Sequence, residues 1–220
     1  MSDLSLPRKV KARPRVYSAD DMARIVSSAD EPLGTMCFVL CSTGMRIGEV
    51  LALRIEDLDF ERRLIHVRHS VYAGNLDTPK SEASIASLPM PPVLATQLKT
   101  FLASKHFRQN SLGLLFANRR GHPFSANKLR EKKLRPLLSS LGIPLAGFHA
   151  FRHGVATTLI DRGASITTVG AQLRHSDPRI TLGLYAHVVP QSQREAVDGL
   201  AQLLTEPRIA DSAKQKSFVS

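Results

Sequence analysis

The sequence predicts an α+β fold that is mainly α-helical and carries a small antiparallel β-sheet. Apolar residues recur at helical spacing along most of the chain, whereas residues 63–68 alternate as a β-strand does. With 220 residues, of which 43% are apolar, the chain can bury a packed core in one domain or two. Helices therefore dominate the predicted core, and the sheet is confined to the middle of the sequence.

The N-terminal residues 1–17 are predicted to be a basic linker or tail. Between Pro7 and Val16 this segment holds two prolines and five cations, which do not make a packed element. Such a segment either lies along a phosphate backbone or is simply solvated. The folded domain is expected to span residues 18–204, and residues 205–220 are expected to be a disordered tail.

Helix signals begin at Ser18, which can cap a helix N-terminus together with Asp21 three residues later. A second helix is expected over residues 32–43, where Gly44 ends it. A third helix is predicted to begin at Arg46. This arginine should therefore have helices on both sides.

The strand signals come next along the chain. Residues 63–68 predict a strand, and residues 70–72 and 85–88 are candidates to pair with it, with Lys80 in or beside a turn. Beyond two successive prolines the pattern returns to helices, predicted over residues 93–104, 126–140, 149–161, 165–173 and 178–187. A capping-box signature then predicts a last helix over residues 192–204.

The cysteines and the distribution of apolar residues indicate in which cellular compartment the protein is expected. Cys37 and Cys41 lie four residues apart on one face of the second predicted helix, as small core residues rather than as a disulfide or metal site. The polar, basic N-terminus lacks a signal-peptide pattern, and no apolar run reaches membrane-spanning length. We therefore expect a soluble cytoplasmic protein.

The charge balance indicates the kind of partner. Lys and Arg total 30 against 19 Asp and Glu, which gives a formal net charge of +11. Such an excess predicts a polyanionic partner, most simply DNA or RNA, although some basic proteins are merely soluble.

Two arginines and a histidine suggest chemistry on a phosphodiester. Attack on this group builds negative charge on its non-bridging oxygens, and a planar guanidinium can bind two such oxygens while it stays charged. Arg46 and Arg152 are the candidates for this role. His149 lies three residues before Arg152, so one helix face would present both to the same phosphate. Glu49, three residues after Arg46, could orient that arginine.

A set of short motifs, in order along the chain, resembles the catalytic domain of the tyrosine recombinase (phage integrase) family. The matching segments are Thr43–Glu49, Thr78–Ser81 around Lys80, His149–His153, Leu173–Ser176 and Thr181–His187 around Tyr185. The resemblance implies a site-specific recombinase that acts on double-stranded DNA, associates into a tetramer on paired sites and needs no cofactor, metal or ATP. The implied site residues are Arg46, Lys80, His149, Arg152, His175 and Tyr185, supported by Glu49, His153 and His187.

The roles that this resemblance implies are specific. Tyr185 would attack the scissile phosphate and form a 3′-phosphotyrosyl link. The two arginines, with His175 as a further donor, would stabilise the transition state. Lys80 would protonate the departing 5′ oxygen, and His149 would accept the proton of the tyrosine.

This chain departs from the family pattern in two ways. The family usually has glycine where this chain has Arg174, whose side chain either alters the approach to DNA or points outward. Members also usually carry an N-terminal helical DNA-binding domain, so only modest site specificity is expected here.

The alternative functions are a type IB topoisomerase-like DNA-relaxing enzyme and a non-catalytic DNA-binding module. His149 and His153 have the spacing of a zinc pair, an interpretation that their arginine neighbours disfavour.

Overall fold

The computed structural model describes residues 15–72, 74–77 and 86–174. The helices in these ranges are α1 (Ala19–Ser28), α2 (Leu33–Thr43), α3 (Ile47–Ala52), α4 (Pro92–Ala103), α5 (Ala126–Leu129), α6 (Arg135–Ser140), α7 (His149–Asp161) and α8 (Ile166–Leu173). The strands are β1 (Leu58–Asp59), β2 (Leu64–Val67), β3 (Ser70–Tyr72), β4 (Asn75–Asp77) and β5 (Ala86–Pro89). The predicted class, mainly helical with antiparallel strands, is confirmed.

Several sequence predictions fall on other parts of the chain. The helices predicted over residues 178–187 and 192–204, the tail over residues 205–220 and the first fourteen residues of the basic segment lie outside the described residues. No helix in the described ranges has the length and apolar character needed to cross a membrane.

Helix α1 begins where the sequence predicts. The Asp21 backbone N–H donates to the Ser18 hydroxyl oxygen at 3.0 Å, and the Ser18 backbone N–H donates to the Asp21 carboxylate at 3.1 Å. This reciprocal pair forms a capping box. Immediately before it, the buried Tyr17 ring packs edge-on against Phe151 of α7, with ring centroids 4.7 Å apart. The start of the described chain is thus fastened to the helix that carries Arg152.

Helix α2 forms the centre of the core. It is apolar on all sides, as a helix surrounded by other helices must be, and it contacts α1, α3, α4 and α7. Cys37 is fully buried and Cys41 is partly buried. Burial raises the pKa of the Cys41 thiol to about 12. Both cysteines are therefore protonated core residues, as the sequence predicts.

The strands form two sheets rather than one. In the first, β2 lies between β1 and β5, and Ile65 pairs with both Leu58 and Leu88 in antiparallel register. The second is the β3–β4 hairpin. The prediction that residues 85–88 pair with the central strand is confirmed for residues 86–88, the described part of that segment, but the same prediction for residues 70–72 is wrong. Strand β3 packs against α3 instead, because Gly48 offers no side chain between the two.

The helix predicted over residues 126–140 contains a π-helical turn, Arg130–Leu134, between α5 and α6. The Arg135 backbone N–H donates to the Arg130 carbonyl, five residues back. Pro136 at the start of α6 has no N–H to donate, and its ring crowds the carbonyl of Lys132. A locally wider turn accommodates that ring, which is why the helix is not regular throughout.

Candidate active site

The candidate site is built around the turn that joins α2 to α3. Gly44 ends α2 with φ 69° and ψ 17°, in the left-handed region that glycine adopts freely. A Cβ atom at this position would lie 2.6 Å from Cδ2 of Leu173, so the close approach of α8 also requires glycine. The Thr43 hydroxyl donates to the Val39 carbonyl at 2.6 Å and accepts from the Met45 N–H at 3.2 Å. The Thr43 side chain therefore stabilises the turn through hydrogen bonds to the backbone on both sides of it.

Arg46 follows this turn directly and caps the N-terminus of α3. Its backbone N–H donates to Oε2 of Glu49 at 2.7 Å, and its guanidinium donates to Oε1 of the same carboxylate at 3.1 Å. The Arg46 side chain is 48% exposed, whereas that of Glu49 is 10% exposed. Glu49 therefore orients a guanidinium that remains open to solvent, in line with the sequence-based expectation.

Arg152 lies in the interior, on the first two turns of α7, and is 3% exposed. Its guanidinium donates to the Gly44 carbonyl at 2.7 Å and also to the Leu173 carbonyl. Burial, followed by repulsion from Arg46, lowers its pKa to about 10, so it is a cation at pH 7. The sequence pattern does not distinguish the two arginines. In the structure, the hydrogen bonds of Arg152 connect α7 and α8 to the turn that precedes Arg46.

The two histidines of α7 contact each other beside these arginines. The rings of His149 and His153 meet edge to face with centroids 4.6 Å apart. Desolvation lowers the pKa of His149, and repulsion by Arg152 and Arg46 adds to the shift. Desolvation likewise lowers the pKa of His153, with further contributions from His149 and Arg152. Both rings are therefore neutral at pH 7, and a neutral imidazole can accept a proton.

The end of α8 brings two more side chains to the turn. Gln172 donates to the Thr43 carbonyl at 2.9 Å. Arg174 donates through its guanidinium to Oε2 of Glu49 at 2.5 Å, and its side chain is 15% exposed. Of the two alternatives that the sequence offered for Arg174, the outward direction is wrong, because the side chain points inward to Glu49. Neither contact is visible in the local sequence pattern, because each joins residues more than 120 positions apart.

The charges at this turn favour an anion. Three guanidinium groups surround one carboxylate, and the neighbouring histidines are neutral at pH 7. A phosphate that approaches the exposed Arg46 would therefore meet a net positive field made by fixed groups. Within residues 15–72, 74–77 and 86–174, no group of three or more His, Cys, Asp or Glu side chains is arranged to hold a metal ion.

The structure accounts for part of the predicted site. It brings together Arg46, Glu49, His149, Arg152 and His153 around one turn. Four further predicted site residues lie outside the described part of the chain: Lys80, His175, Tyr185 and His187. Arg174 immediately precedes His175 in the sequence, and Asp77 of β4 lies three positions before Lys80.

Proteins with similar sequences carry recombinase and integrase names. A "Tyrosine recombinase XerC-like" protein of Caldanaerobacter subterraneus subsp. tengcongensis is 28% identical, and the match covers 89% of this chain and 56% of that protein. The "Integrase" of Staphylococcus phage L54a is 26% identical over 74% of this chain and 49% of its own length. The chain thus spans about half the length of these curated relatives.

Two solved structures share the architecture. The crystal structure of XerA recombinase is 25% identical with a TM-score of 0.67, and the match covers 92% of this chain and 68% of that one. The integrase of transposon Tn1549, solved in complex with transposon right end DNA, superposes with a TM-score of 0.73 over 89% of this chain and 69% of that one. At 23% identity the latter likeness shows a common fold.

The decisive comparison is at the level of the family. The sequence pattern described as the phage integrase family matches residues 15–192, which includes the whole turn, both arginines, both α7 histidines and Tyr185. The match extends over most of the chain, and the fold agrees with those of the XerA recombinase and the Tn1549 integrase. This chain therefore belongs to the phage integrase family.

Proposed function

We propose that this chain is the catalytic part of a site-specific DNA recombinase, which breaks and rejoins strands through a 3′-phosphotyrosyl intermediate. The observation that carries the proposal is the shared turn at Gly44, which fixes the positions of Arg46 and Arg152 beside neutral His149. Fixed cations next to a proton acceptor suit attack on a phosphodiester. The names of the relatives and the DNA bound in the Tn1549 integrase structure support the extension to this chain.

The proposed mechanism begins with Tyr185, whose oxygen attacks the scissile phosphorus as its proton passes to His149. Arg46 donates to the non-bridging oxygens that gain charge, and the buried charge of Arg152 strengthens the positive field there. His175 is a further donor. Lys80 protonates the 5′ oxygen as the P–O bond to it breaks, so that each proton that leaves a nucleophile is matched by one delivered to a leaving group.

The supporting residues have proposed roles of their own. Glu49 holds the guanidinium of Arg46, and His153 contacts the ring of His149 from the next turn of α7. His187, two residues after the nucleophile, is proposed to steady it. The proposed catalytic domain covers the predicted residues 18–204. The predicted linker over residues 1–17 is shortened to residues 1–14, because Arg15 donates to the Leu145 carbonyl and the buried Tyr17 packs against Phe151.

The reaction requires a partner and a setting. Double-stranded DNA is the proposed substrate, and exchange between two sites implies four copies of the chain on paired DNA. The bacterial and phage relatives support a cytoplasmic enzyme that is encoded by a prokaryote or a phage and acts on a mobile element.

Covalent trapping tests the proposal. The protein is incubated with duplexes of randomised sequence that carry a nick just 3′ of the candidate cleavage positions, so that the released fragment diffuses away and the adduct accumulates. We expect an adduct that survives denaturing electrophoresis, with Tyr185 as the modified residue by mass spectrometry. Sequencing of the trapped DNA then identifies the preferred site.

A matched pair of variants controls the experiment. Tyr185→Phe removes only the proposed nucleophilic oxygen and should abolish the adduct while DNA binding remains. Tyr72→Phe makes the same change at an 81% exposed position and should leave the adduct unchanged. An undiminished adduct with Tyr185→Phe would overturn the assignment of the nucleophile.

The two alternative functions give different outcomes in the same assay. A topoisomerase-like enzyme would relax supercoiled plasmid and form adducts without sequence preference among the trapped duplexes. A non-catalytic DNA-binding module would shift the duplex in a native gel and form no adduct.

A further inference from the structure

Arg174 occupies a backbone conformation that an arginine rarely adopts. It ends α8 with φ 54° and ψ 49°, in the left-handed region that favours glycine. Among the described residues, Arg63 is the other non-glycine residue with positive φ, and it is exposed in the turn before β2. A side chain retained in such a conformation points to a contact that compensates for it.

The contact of Arg174 is a shielded ion pair with Glu49. Its guanidinium lies 2.5 Å from Oε2, and the two side chains are 15% and 10% exposed. By comparison, the surface pair of Arg62 with Asp59 spans 4.0 Å, and the Arg62 side chain is 83% exposed. A pair withdrawn from solvent is screened less by salt than a surface pair, so it can fix the geometry of its partners.

The two oxygens of Glu49 have different partners. Oε2 accepts from the Arg46 backbone N–H at 2.7 Å and from Arg174, whereas Oε1 accepts from the Arg46 guanidinium at 3.1 Å. The two donors to Oε2 restrain rotation of the carboxylate and keep Oε1 directed at the half-exposed guanidinium. A continuous chain of hydrogen bonds thus leads from Arg174 through the Glu49 carboxylate to the Arg46 guanidinium.

The position of Arg174 does not depend on its own side chain. The backbone of α8 is fastened to the turn by Gln172, which donates to the Thr43 carbonyl, and by Leu173, whose carbonyl accepts from Arg152. Replacement of Arg174 therefore removes the contact with Glu49 while α8 keeps its place. Glycine in particular suits the left-handed conformation, so the Arg174→Gly variant should fold.

We infer that Arg174 is a positioning residue that acts through Glu49 to hold the Arg46 guanidinium in place for phosphate binding, a role that rests on the proposed function. Its effect falls on the rate of the chemical step rather than on DNA affinity, because the ordered donor matters most when charge develops on the phosphate. A residue that bound DNA directly would change affinity as well.

A double-mutant cycle tests whether Arg174 acts on Arg46 through Glu49. The single-turnover rate of adduct formation on saturating nicked DNA, and the Kd for the same DNA, are measured for wild type, Arg174→Gly, Glu49→Gln and the double variant. We expect Arg174→Gly to lower the rate roughly 10-fold, with Kd within about twofold of wild type. Once Glu49 is replaced by glutamine, Arg174→Gly should cause no further loss. Arg174→Lys keeps one charged donor for Oε2 and should recover most of the rate.

Two results would overturn the inference. Equal losses from Arg174→Gly with and without Glu49→Gln would show that Arg174 acts independently of Glu49. A weakening of Kd as large as the loss in rate would identify it as a direct DNA contact. Arg63→Gly is the matched control, because it removes the same side chain from the same backbone region at an exposed turn and should leave the rate unchanged.

A readout without DNA separates this inference from the proposed function. The ¹H–¹⁵N nuclear Overhauser effect of the Arg46 Nε–H group reports how rigidly the guanidinium is held. It should fall in Arg174→Gly and return in Arg174→Lys, whether or not the wild-type protein forms an adduct. An unchanged value in Arg174→Gly would refute the positioning role, whereas a wild-type protein that forms no adduct would refute the proposed function alone.

Discussion

At the scale of single residues, the two arginines of the candidate site differ most in burial. Arg46 has a 48% exposed side chain, whereas Arg152 is 3% exposed and bonded to two backbone carbonyls. A sequence pattern records only that both residues are arginine. Their substitutions should nevertheless have different physical consequences.

Alanine variants separate the two roles. Arg152→Ala leaves the Gly44 and Leu173 carbonyls buried without donors, so it should lower the free energy of unfolding by about 2–5 kcal/mol. Arg46→Ala removes one donor from Glu49 at a half-exposed position, so it should cost less, about 1 kcal/mol, and lower the cleavage rate by on the order of 10²–10³. Thermal unfolding and single-turnover adduct formation measure the two effects. Equal stability of the two variants would contradict this distinction.

The histidine pair predicts how stability depends on pH. The folded-state pKa of His153 is lowered by burial, and the unfolded chain has a histidine pKa near 6.5. Between these two values the unfolded chain binds more protons, so stability falls as pH decreases through about 6.5 and stays reduced below the folded pKa. The Tm should therefore drop between pH 7.5 and pH 5, and less so in His153→Gln. His106→Gln, at an exposed position, should retain the wild-type pH dependence.

Whether a contact could be predicted from the sequence depends on how far apart its two residues lie along the chain. The contact of Glu49 with Arg46 spans three positions of one helix, so spacing alone indicated it. The inward direction of Arg174 and the bond from Gln172 to Thr43 arise only after α8 packs on the α2–α3 turn. Such tertiary contacts leave no periodic signal in the sequence.

At the scale of elements, α3 and the β3–β4 hairpin approach each other closely. A Cβ atom on Gly48 would come within 2.6 Å of the Val71 carbonyl oxygen and 2.8 Å of the Ser70 hydroxyl. The hairpin precedes the segment that contains Lys80, and α3 carries Glu49 and begins just after Arg46. This contact therefore sets the position of the hairpin against the helix that carries Glu49.

Gly48→Ala should push the hairpin away from α3. The contact is with a carbonyl that cannot rotate away, so the free energy of unfolding should fall by about 1–3 kcal/mol, and adduct formation should fall more than DNA binding. Gly147→Ala is the control for stability, since the nearest atom to an added Cβ there is 3.7 Å away. Chemical denaturation and the trapping assay measure both effects. If Gly48→Ala and Gly147→Ala are equally stable, the close approach has no energetic role.

The elements themselves show where sequence patterns are sufficient. Capping boxes, helical periodicity and Gly44 predict α1, α2 and α7 well, because these signals are local. The separation of β3 from the main sheet depends on the absence of a side chain at Gly48 in another element. The π-helical turn before Pro136 depends on how one ring is accommodated in a long helix. Neither has a periodic signature.

At the scale of the whole molecule, the net charge of +11 predicts steep salt dependence of DNA binding. Residues 1–14 include four cations, whereas Arg15 donates to the Leu145 carbonyl and Tyr17 is buried. Deletion of residues 1–14 should therefore reduce the slope of log affinity against log salt by up to roughly 3–4, at about 0.9 per lost phosphate contact. Replacement of the four cations by serine should have the same effect. An unchanged slope would mean that the segment is only solvated.

Assembly is tested at the other end of the chain. The helix predicted over residues 192–204 has an apolar stripe, which needs a surface to cover it. We propose that this surface belongs to a neighbouring copy on paired DNA sites. Deletion of residues 191–220 should then leave binding to a single site intact and impair the complex of four copies, as measured by light scattering. Full assembly by the truncated protein would assign this helix to its own domain.

The long-range bonds at Gly44 have a consequence for when the protein can act. The hydrogen bond from Arg152 to Gly44 closes a loop of 108 residues, and that from Gln172 to Thr43 closes one of 129. A chain still emerging from the ribosome already contains both arginines before the end of α8 has been made. Under the proposed function, a copy in which α8 has not docked on this turn contains both arginines without an assembled phosphate site, so strand cleavage should require the fully folded chain.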